Sequence, residues 1–182
     1  MYVIPAKACG VLSEATRRKA KLPVVKWRDP SGRGCEWANR PGPRGAYRPR
    51  SVAVDYDPGV GSDDAYAKRM FKESMARDYR RPSVFSRGPQ EKGIVKRVGT
   101  SAVGEDYDEA YYVYYVDQVA GSRRGHGLLV IRKGNVIIKM NASGGDNFGT
   151  RVIDGKPISS KVAQDLLDAT ADGVLRAVEK AS

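Results

Sequence analysis

The sequence predicts an α+β domain built on an antiparallel sheet, with N-terminal, middle and C-terminal helices packed on one face of that sheet. The predicted strands follow one another in runs joined by turn residues and do not alternate with helices, which favours antiparallel pairing. Three further segments show helical patterns. With 182 residues, of which 41% are hydrophobic, residues 1–182 are expected to form a single domain.

The N-terminal half is predicted to contain two helices and three strands. Residues 7–21 are predicted to be helical, since Ser13 can cap the second half, Glu14 lies where the helix dipole favours an acid, and Pro23 ends the segment. The three strands are expected over residues 24–27, 35–39 and 51–56, and the first two form a hairpin. The second helix is expected over residues 62–79, with an apolar face of Ala67, Met70, Phe71 and Met75.

The C-terminal half is predicted to contain four strands and a closing helix. The strands are expected over residues 93–98, 109–119, 127–132 and 136–141. The last two flank a tight turn at Lys133, Gly134 and Asn135, where glycine supplies the positive φ that the turn requires and asparagine tolerates it. A helix is expected over residues 159–180, because apolar residues recur there at helical spacing: Ile158, Val162, Leu166, Leu167, Val174, Leu175 and Val178.

The chain carries 32 Lys and Arg residues against 21 Asp and Glu residues, a net charge of +11. The excess lies in residues 1–100, which hold 22 basic and 10 acidic residues. Such a field favours anionic partners, namely anionic lipid, phosphate-bearing wall polymer or nucleic acid, although a solvated surface explains the charge equally well. Many basic residues lie in Gly- and Pro-rich loops, and Arg44, Arg48 and Arg50 are candidate binding residues among them.

Cys9 and Cys35 are the two cysteines of the chain. A metal site needs three or four ligands, which the single histidine, His126, cannot complete, so neither a metal nor another cofactor is predicted. The spacing does not match a Cys-x-x-Cys redox motif. Two buried free thiols or one disulfide remain. The disulfide, which we favour, would close a 27-residue loop worth roughly 3.5 kcal/mol in the chain-entropy treatment and would indicate an oxidising compartment.

Half of the ten tyrosines lie within residues 107–115. On a strand, Tyr111 and Tyr115 share one face, while Tyr112 and Tyr114 share the other. One face must be core. The other can form an exposed aromatic strip that stacks on sugar rings, bases or a partner protein, so all four tyrosines are candidate binding residues. Cross-strand packing inside the fold is the alternative interpretation.

No combination of residues predicts a catalytic site, so the chain is expected not to be an enzyme. A Ser/His/Asp triad would need His126, which lies in the Gly-rich segment 121–127, a connector ill-suited to hold a base in place. Four acids near the tyrosine-rich strand show no pattern that brings two of them together. They are Asp106, Asp108, Glu109 and Asp117.

Two short motifs resemble those of an actinobacterial lipoprotein family of unknown function. The first is a helix start of the form Cys-x-x-Leu-Ser, here residues 9–13, and the second is the segment Gly34-Cys35-Glu36-Trp37. The similarity continues through an acidic step before a strand at residues 104–111, an Arg-x-Gly-Asn hairpin at residues 132–135 and a closing helix. Related modules include the extracellular sensor domains of actinobacterial receptor kinases.

The resemblance implies an α+β fold, export, and a disulfide between Cys9 and Cys35. It also implies anchoring to the outer membrane face through a lipidated cysteine that lies outside this chain, whose first few residues would then be a remnant of expression. It implies no catalytic residue.

We therefore expect a non-enzymatic, extracytoplasmic binding or sensor module of the cell envelope, secreted or lipid-anchored at the membrane. Its partner would be an anionic lipid, a wall polymer or an envelope protein. The alternative is a basic module that binds single-stranded nucleic acid inside the cell, combining the positive charge with the tyrosines. A secreted hydrolase or a protease inhibitor is a weaker alternative, because no motif supports it.

Overall fold

The computed structural model describes residues 1–27, 30–42, 48–57, 63–119, 122–146 and 155–180. In chain order the elements are β1 (Tyr2–Val3), a 3₁₀ helix (Ala8–Gly10), α1 (Glu14–Lys19), β2 (Val24–Trp27), β3 (Gly34–Ala38), β4 (Arg50–Asp57), α2 (Asp64–Asp78), β5 (Glu91–Ile94), β6 (Arg97–Val98), β7 (Ser101–Ala102), β8 (Glu109–Val119), β9 (Ser122–Lys133), β10 (Val136–Asp146), β11 (Lys156–Pro157), α3 (Ser160–Arg176) and β12 (Glu179–Lys180).

The main sheet of the described residues is eight-stranded and antiparallel. Its strands follow the order β2-β3-β4-β10-β9-β8-β5, and β11 pairs with β10 outside this path. The long strands β8, β9 and β10 form the centre, where Tyr115 lies opposite His126 and His126 lies opposite Ser143. The α+β class, with a large antiparallel sheet and three helices, is confirmed.

The helices lie on both faces of the sheet, so their predicted placement on one face is wrong for the middle helix. α3 packs against the face that carries Tyr112 and Tyr114, and α1 lies against α3. α2 packs on the opposite face, where the rings of Phe71 and Tyr111 meet edge to face at 5.2 Å. The reason is that the central strands are apolar on both faces, and a sheet of this kind needs a layer on each side.

The observed bounds differ from the predicted ones in the N-terminal helix, in the strand predicted over residues 93–98, which is divided between β5 and β6, and at the sheet centre. β8 has the predicted bounds, whereas β9 and β10 each include about five residues that were expected in loops. Those additions are rich in Gly, Ser and Arg, which disfavour strands in isolation but are held here by pairing with neighbours on both sides. At the N-terminus, α1 starts only at Glu14, after the predicted cap, in which Ser13 Oγ accepts a hydrogen bond from the Thr16 amide.

Close approach of α3 to the sheet depends on glycines in β9. A Cβ on Gly127 would lie 2.7 Å from the Cβ of Ala163 and 2.8 Å from the Tyr112 hydroxyl oxygen. A Cβ on Gly125 would lie 2.3 Å from the carbonyl oxygen of Ile158. Both glycines therefore make room for tyrosines of β8 and for the start of α3.

The predicted turn between β9 and β10 is present, with Gly134 at a φ of +55°. Asn135 does not adopt the positive φ that the sequence allowed for it. Its side chain instead binds the backbone of Tyr2, accepting from the amide at 2.7 Å and donating to the carbonyl at 3.1 Å. The turn thus ties the N-terminus to the sheet.

Candidate binding surfaces

The structure joins Cys9 and Cys35 in a disulfide, as the resemblance implied. The bond links the short helix at Ala8–Gly10 to β3, and Cys35 is fully buried in the core cluster under α3. Trp37, two residues along the same strand, lies in that cluster and is also fully buried. The disulfide therefore crosslinks an N-terminal segment with little regular structure to the sheet.

The four candidate tyrosines do not form an exposed strip, so this part of the predicted binding site is wrong. Tyr111, Tyr112, Tyr114 and Tyr115 are each at most 6% exposed. Tyr111 and Tyr115 pack under α2, while Tyr112 and Tyr114 pack under α3. Because the sheet is covered on both faces at β8, the alternative interpretation, packing within the fold, applies to all four.

Hydrogen bonds hold the hydroxyl groups of these tyrosines inside the protein. Tyr111 donates to Asp78 at 2.7 Å, and Tyr114 donates to the carbonyl oxygen of Ile158 at 2.5 Å. Burial raises the pKa of Tyr112 to about 12 and also raises the pKa of Tyr111, Tyr114 and Tyr115. All four therefore stay neutral at physiological pH and anchor the helices to the sheet.

The candidate arginines are not brought together as a site in the described part of the chain. Arg44 lies outside the described residues. Arg50 is half-buried at the start of β4, where it pairs with Asp146 at 2.5 Å and donates to the carbonyl oxygen of Gly145 at 2.8 Å. This ion pair links the start of β4 to the end of β10. Arg48 is exposed, and its carbonyl oxygen accepts a hydrogen bond from Asn39.

His126 lies on β9 and not in a flexible connector, which corrects the sequence interpretation. Its Nε2 atom lies 2.9 Å from Asp117, and its ring stacks on Tyr115 at 5.0 Å. Ser143 lies opposite His126, but its hydroxyl bonds Ser51 at 3.0 Å, and the His126 Nδ1 atom has no hydrogen-bond partner among the described residues. These contacts do not assemble a nucleophile with its base.

A basic surface, which the sequence analysis did not locate, lies on the outer side of α2 and just beyond its end. It consists of Lys68, Arg69, Lys72 and Arg80, all of them exposed, and is named the α2 surface. The first three lie within little more than one helical turn. None of the four pairs with a carboxylate in the part of the chain that the structure describes, although Glu73 is exposed nearby. A signal was present in the sequence, because Lys68, Arg69 and Lys72 lie outside the apolar face of the helix predicted over residues 62–79, and Arg80 directly follows that helix.

The other acids of α2 do not neutralise this surface, because they serve internal contacts. Asp64 pairs with the buried Arg132 at 2.7 Å, and Asp78 is only 3% exposed. Just beyond the helix, Val84 and Phe85 are 47% and 51% exposed. The guanidinium of Arg123 lies 4.9 Å from the Phe85 ring centre. Basic and apolar side chains are thus exposed together in the segment that follows α2.

A groove lies between the last strand of the sheet and α3. We name it the β5–α3 groove; its floor is formed by Tyr112, Leu129 and Leu167, and its volume is about 280 Å³. Glu91 of β5 and Asp168 of α3 stand on its two walls. Sequence analysis missed it because the groove is made by elements that are far apart in the chain. Gly93, in a predicted strand, was the available signal.

Two further properties concern the described residues only. Among them, no group of three or more His, Cys, Asp or Glu side chains is arranged to hold a metal ion. None of the helices found there combines the length and the apolar character needed to cross a bilayer.

Comparisons with known proteins give a faint likeness. No family model matches the chain, and no curated protein matches it. Among solved structures, the extracellular domain of PknH from Mycobacterium tuberculosis is similar, with 9% sequence identity and a TM-score of 0.25. The likeness covers 97% of this chain and 78% of that one. A TM-score this low does not establish a shared fold. Because no family model matches the chain, membership of the lipoprotein family stays a prediction.

Proposed function

We propose that this chain is a non-enzymatic, extracytoplasmic binding module that docks on anionic lipid head groups through the α2 surface. The observation that carries the proposal is the set of four exposed cations at Lys68, Arg69, Lys72 and Arg80, none with a carboxylate partner among the described residues. A cation close to an anionic membrane contributes about 1 kcal/mol, and the contributions of neighbouring cations add up.

The apolar side chains after α2 favour a lipid surface over a soluble anion. Val84 and Phe85 are exposed beside Arg80, Arg81 and Arg87. Aromatic and aliphatic side chains next to cations are typical of segments that lie at the boundary between head groups and acyl chains. A wall polymer would engage the cations but would leave these two side chains in water.

The buried disulfide supports the extracytoplasmic part of the proposal. Bonds of this kind form and persist in oxidising compartments and are rare in the cytosol. A non-reducing peptide map of protein isolated from its native cells tests this part. We expect the Cys9 and Cys35 peptides to be linked. Two free thiols in freshly isolated protein would contradict export.

Lipid docking is tested by sedimentation with vesicles. The wild-type chain should bind equimolar phosphatidylglycerol and phosphatidylcholine vesicles at low salt, and it should not bind pure phosphatidylcholine. The triple variant Lys68→Gln/Arg69→Gln/Lys72→Gln should bind the anionic vesicles about 100-fold more weakly, since three cations near the surface are lost. Added salt should weaken wild-type binding far more than that of the variant.

A second triple variant serves as the matched control. Lys19→Gln/Lys156→Gln/Arg176→Gln removes the same charge from exposed positions away from α2 and should bind nearly as well as wild type. Equal loss in both triple variants would mean that net charge alone drives binding. Tighter binding to purified cell wall than to vesicles would replace the lipid by a wall polymer. Tighter binding to a single-stranded oligonucleotide would favour the nucleic-acid alternative.

A further inference from the structure

The β5–α3 groove combines a sheet edge with a helix. β5 is the last strand of the main sheet, and it pairs only with β8 among the described residues. Its other side presents backbone groups to which no described strand is paired. α3 forms the facing wall, where Gln164 reaches across and donates to Glu91 at 2.8 Å. A free strand edge beside a helix is a geometry that accepts one more strand.

Gly93 keeps the floor of the groove open. A Cβ built on Gly93 would meet no atom within 4 Å, so no contact inside the described fold requires a glycine there. Its φ also lies outside the region that favours glycine. Glycine weakens a strand interior and often marks a place where another backbone approaches closely. The absent side chain thus leaves space along β5 that the described fold does not fill.

Two acids, Glu91 and Asp168, line the groove together with two basic residues, Lys92 and Arg97. Glu91 lies on β5 and Asp168 on α3. Asp165 and Asp172 lie one turn to either side of Asp168, where Asp165 pairs with Lys161 and Asp172 accepts hydrogen bonds from Thr100. Partial burial raises the pKa of Asp168, and the carboxylates of Asp165 and Asp172 raise it further, while a hydrogen bond from the Gly99 backbone and the ammonium group of Lys161 lower it. A cation between the walls would relieve this repulsion.

The basic residues that border the groove are directed elsewhere. The ammonium group of Lys92 lies 3.4 Å from the carbonyl oxygen of Tyr79 and 5.4 Å from its ring centre, on the α2 side of the sheet. Arg97 donates to the carbonyl oxygen of Thr100 at 3.3 Å. Neither cation is therefore held between Glu91 and Asp168.

We propose that the β5–α3 groove binds an extended peptide strand, which pairs with β5 and places a lysine or arginine side chain between Glu91 and Asp168. Backbone hydrogen bonds along β5 would supply affinity, and the acidic walls would select the basic residue. This site is separate from the α2 surface, so peptide binding and lipid docking can be tested independently of each other.

The proposal is tested with a phage-displayed library of random dodecapeptides selected on the folded chain. We expect enrichment of peptides of extended character that carry one conserved lysine or arginine. Synthetic versions of the enriched peptides are then titrated by fluorescence anisotropy. Gly93→Val should abolish their binding, because the added side chain occupies the open floor. Glu91→Gln/Asp168→Asn should weaken it about tenfold, since two partly exposed ion pairs are lost.

Gly10→Val is the matched control for the groove variant. Gly10 is another glycine at which an added Cβ meets nothing within 4 Å, and it lies in the short helix near the N-terminus, away from the groove. Its peptide affinity should equal that of wild type. Circular dichroism of all variants checks that each is folded, and vesicle binding by Gly93→Val shows that the α2 surface is intact.

Four outcomes would overturn the proposal. The selection could converge on no sequence or on acidic peptides. The enriched peptides could bind Gly93→Val as well as they bind wild type. Finally, no peptide could bind while the small cation spermidine binds in a way that depends on Asp168. The last outcome would assign the groove to a small cation.

Discussion

Asp78 is the residue on which the contacts under α2 converge. Its carboxylate is 4% exposed, accepts a hydrogen bond from Tyr111 at 2.7 Å, and lies 3.6 Å and 3.5 Å from the guanidinium groups of Arg77 and Arg81. An acid at the carboxyl end of a helix is opposed by the helix dipole. The two arginines offset that field, and Arg81 extends the network by donating to the Tyr115 hydroxyl at 2.8 Å.

Asp78→Ala is predicted to lower the free energy of unfolding by about 3 kcal/mol, because it leaves the Tyr111 hydroxyl buried without its acceptor. Tyr111→Phe should cost about 1 kcal/mol, since Asp78 keeps both arginines. Urea denaturation of the two single variants and the double variant measures the coupling. A double variant that costs the sum of the two would show that the hydroxyl and the carboxylate act independently.

The exposure of the four tyrosine side chains on β8 could not be predicted from the sequence. Strand alternation correctly separates Tyr111 and Tyr115 from Tyr112 and Tyr114, but it does not say how many faces of the strand are covered. That depends on where α2 lies, which is decided by Phe71 and Tyr111 packing at long sequence separation. His126 was misassigned similarly, because the glycines around it hid a strand that its neighbours impose.

At the scale of elements, local chemistry predicted much of what was observed. The Ser13 cap, the Gly134 turn and the bounds of β8 follow from residues next to one another in the chain. The disulfide followed from a resemblance and from elimination of other cysteine roles. The β5–α3 groove was not predicted, because Gly93 alone does not give its position, which depends on the order of strands in the sheet.

The close packing of α3 on β9 predicts that a glycine-to-alanine substitution has different effects on stability at Gly127 and at Gly93. Gly127→Ala should destabilise the fold by about 2 kcal/mol, since its Cβ would lie 2.7 Å from Ala163 and 2.8 Å from Tyr112. Gly93→Ala should change stability by less than about 0.5 kcal/mol or raise it slightly, because the same atom meets open space. Thermal and urea unfolding compare the two. Similar losses at both positions would contradict the close approach of α3.

At the scale of the whole molecule, charge is divided between the two helical layers. The outer side of α2 carries Lys68, Arg69 and Lys72, whereas Asp168 of α3 lines the groove together with Glu91 of β5. A chain of net charge +11 therefore has two acids, Glu91 and Asp168, in a groove on the face opposite its basic surface. This division explains how one module could bind an anionic membrane and a basic peptide without competition between them.

The buried tyrosines make the whole fold sensitive to alkali. Seven tyrosines have a raised pKa, chiefly because burial disfavours the charged phenolate: Tyr56, Tyr79, Tyr107, Tyr111, Tyr112, Tyr114 and Tyr115. The unfolded chain loses these protons near pH 10 while the folded chain keeps them, so the free energy of unfolding falls as pH rises above that value. Burial lowers the pKa of Lys133, which acts in the opposite direction but is a single group.

We predict that stability is nearly constant up to about pH 9 with respect to these groups and then falls steeply, each tyrosine contributing up to about 1.4 kcal/mol per pH unit. Tyrosinate absorbance should appear together with loss of the circular dichroism of the fold, because the buried hydroxyls ionise only when the chain opens. Tyr56→Phe removes one group from this linkage and should make the decline of unfolding free energy shallower above pH 10, whatever its effect at neutral pH. Gradual ionisation of most tyrosines in a chain that stays folded would mean that they are accessible to solvent, and the covering of β8 on both faces would then be wrong.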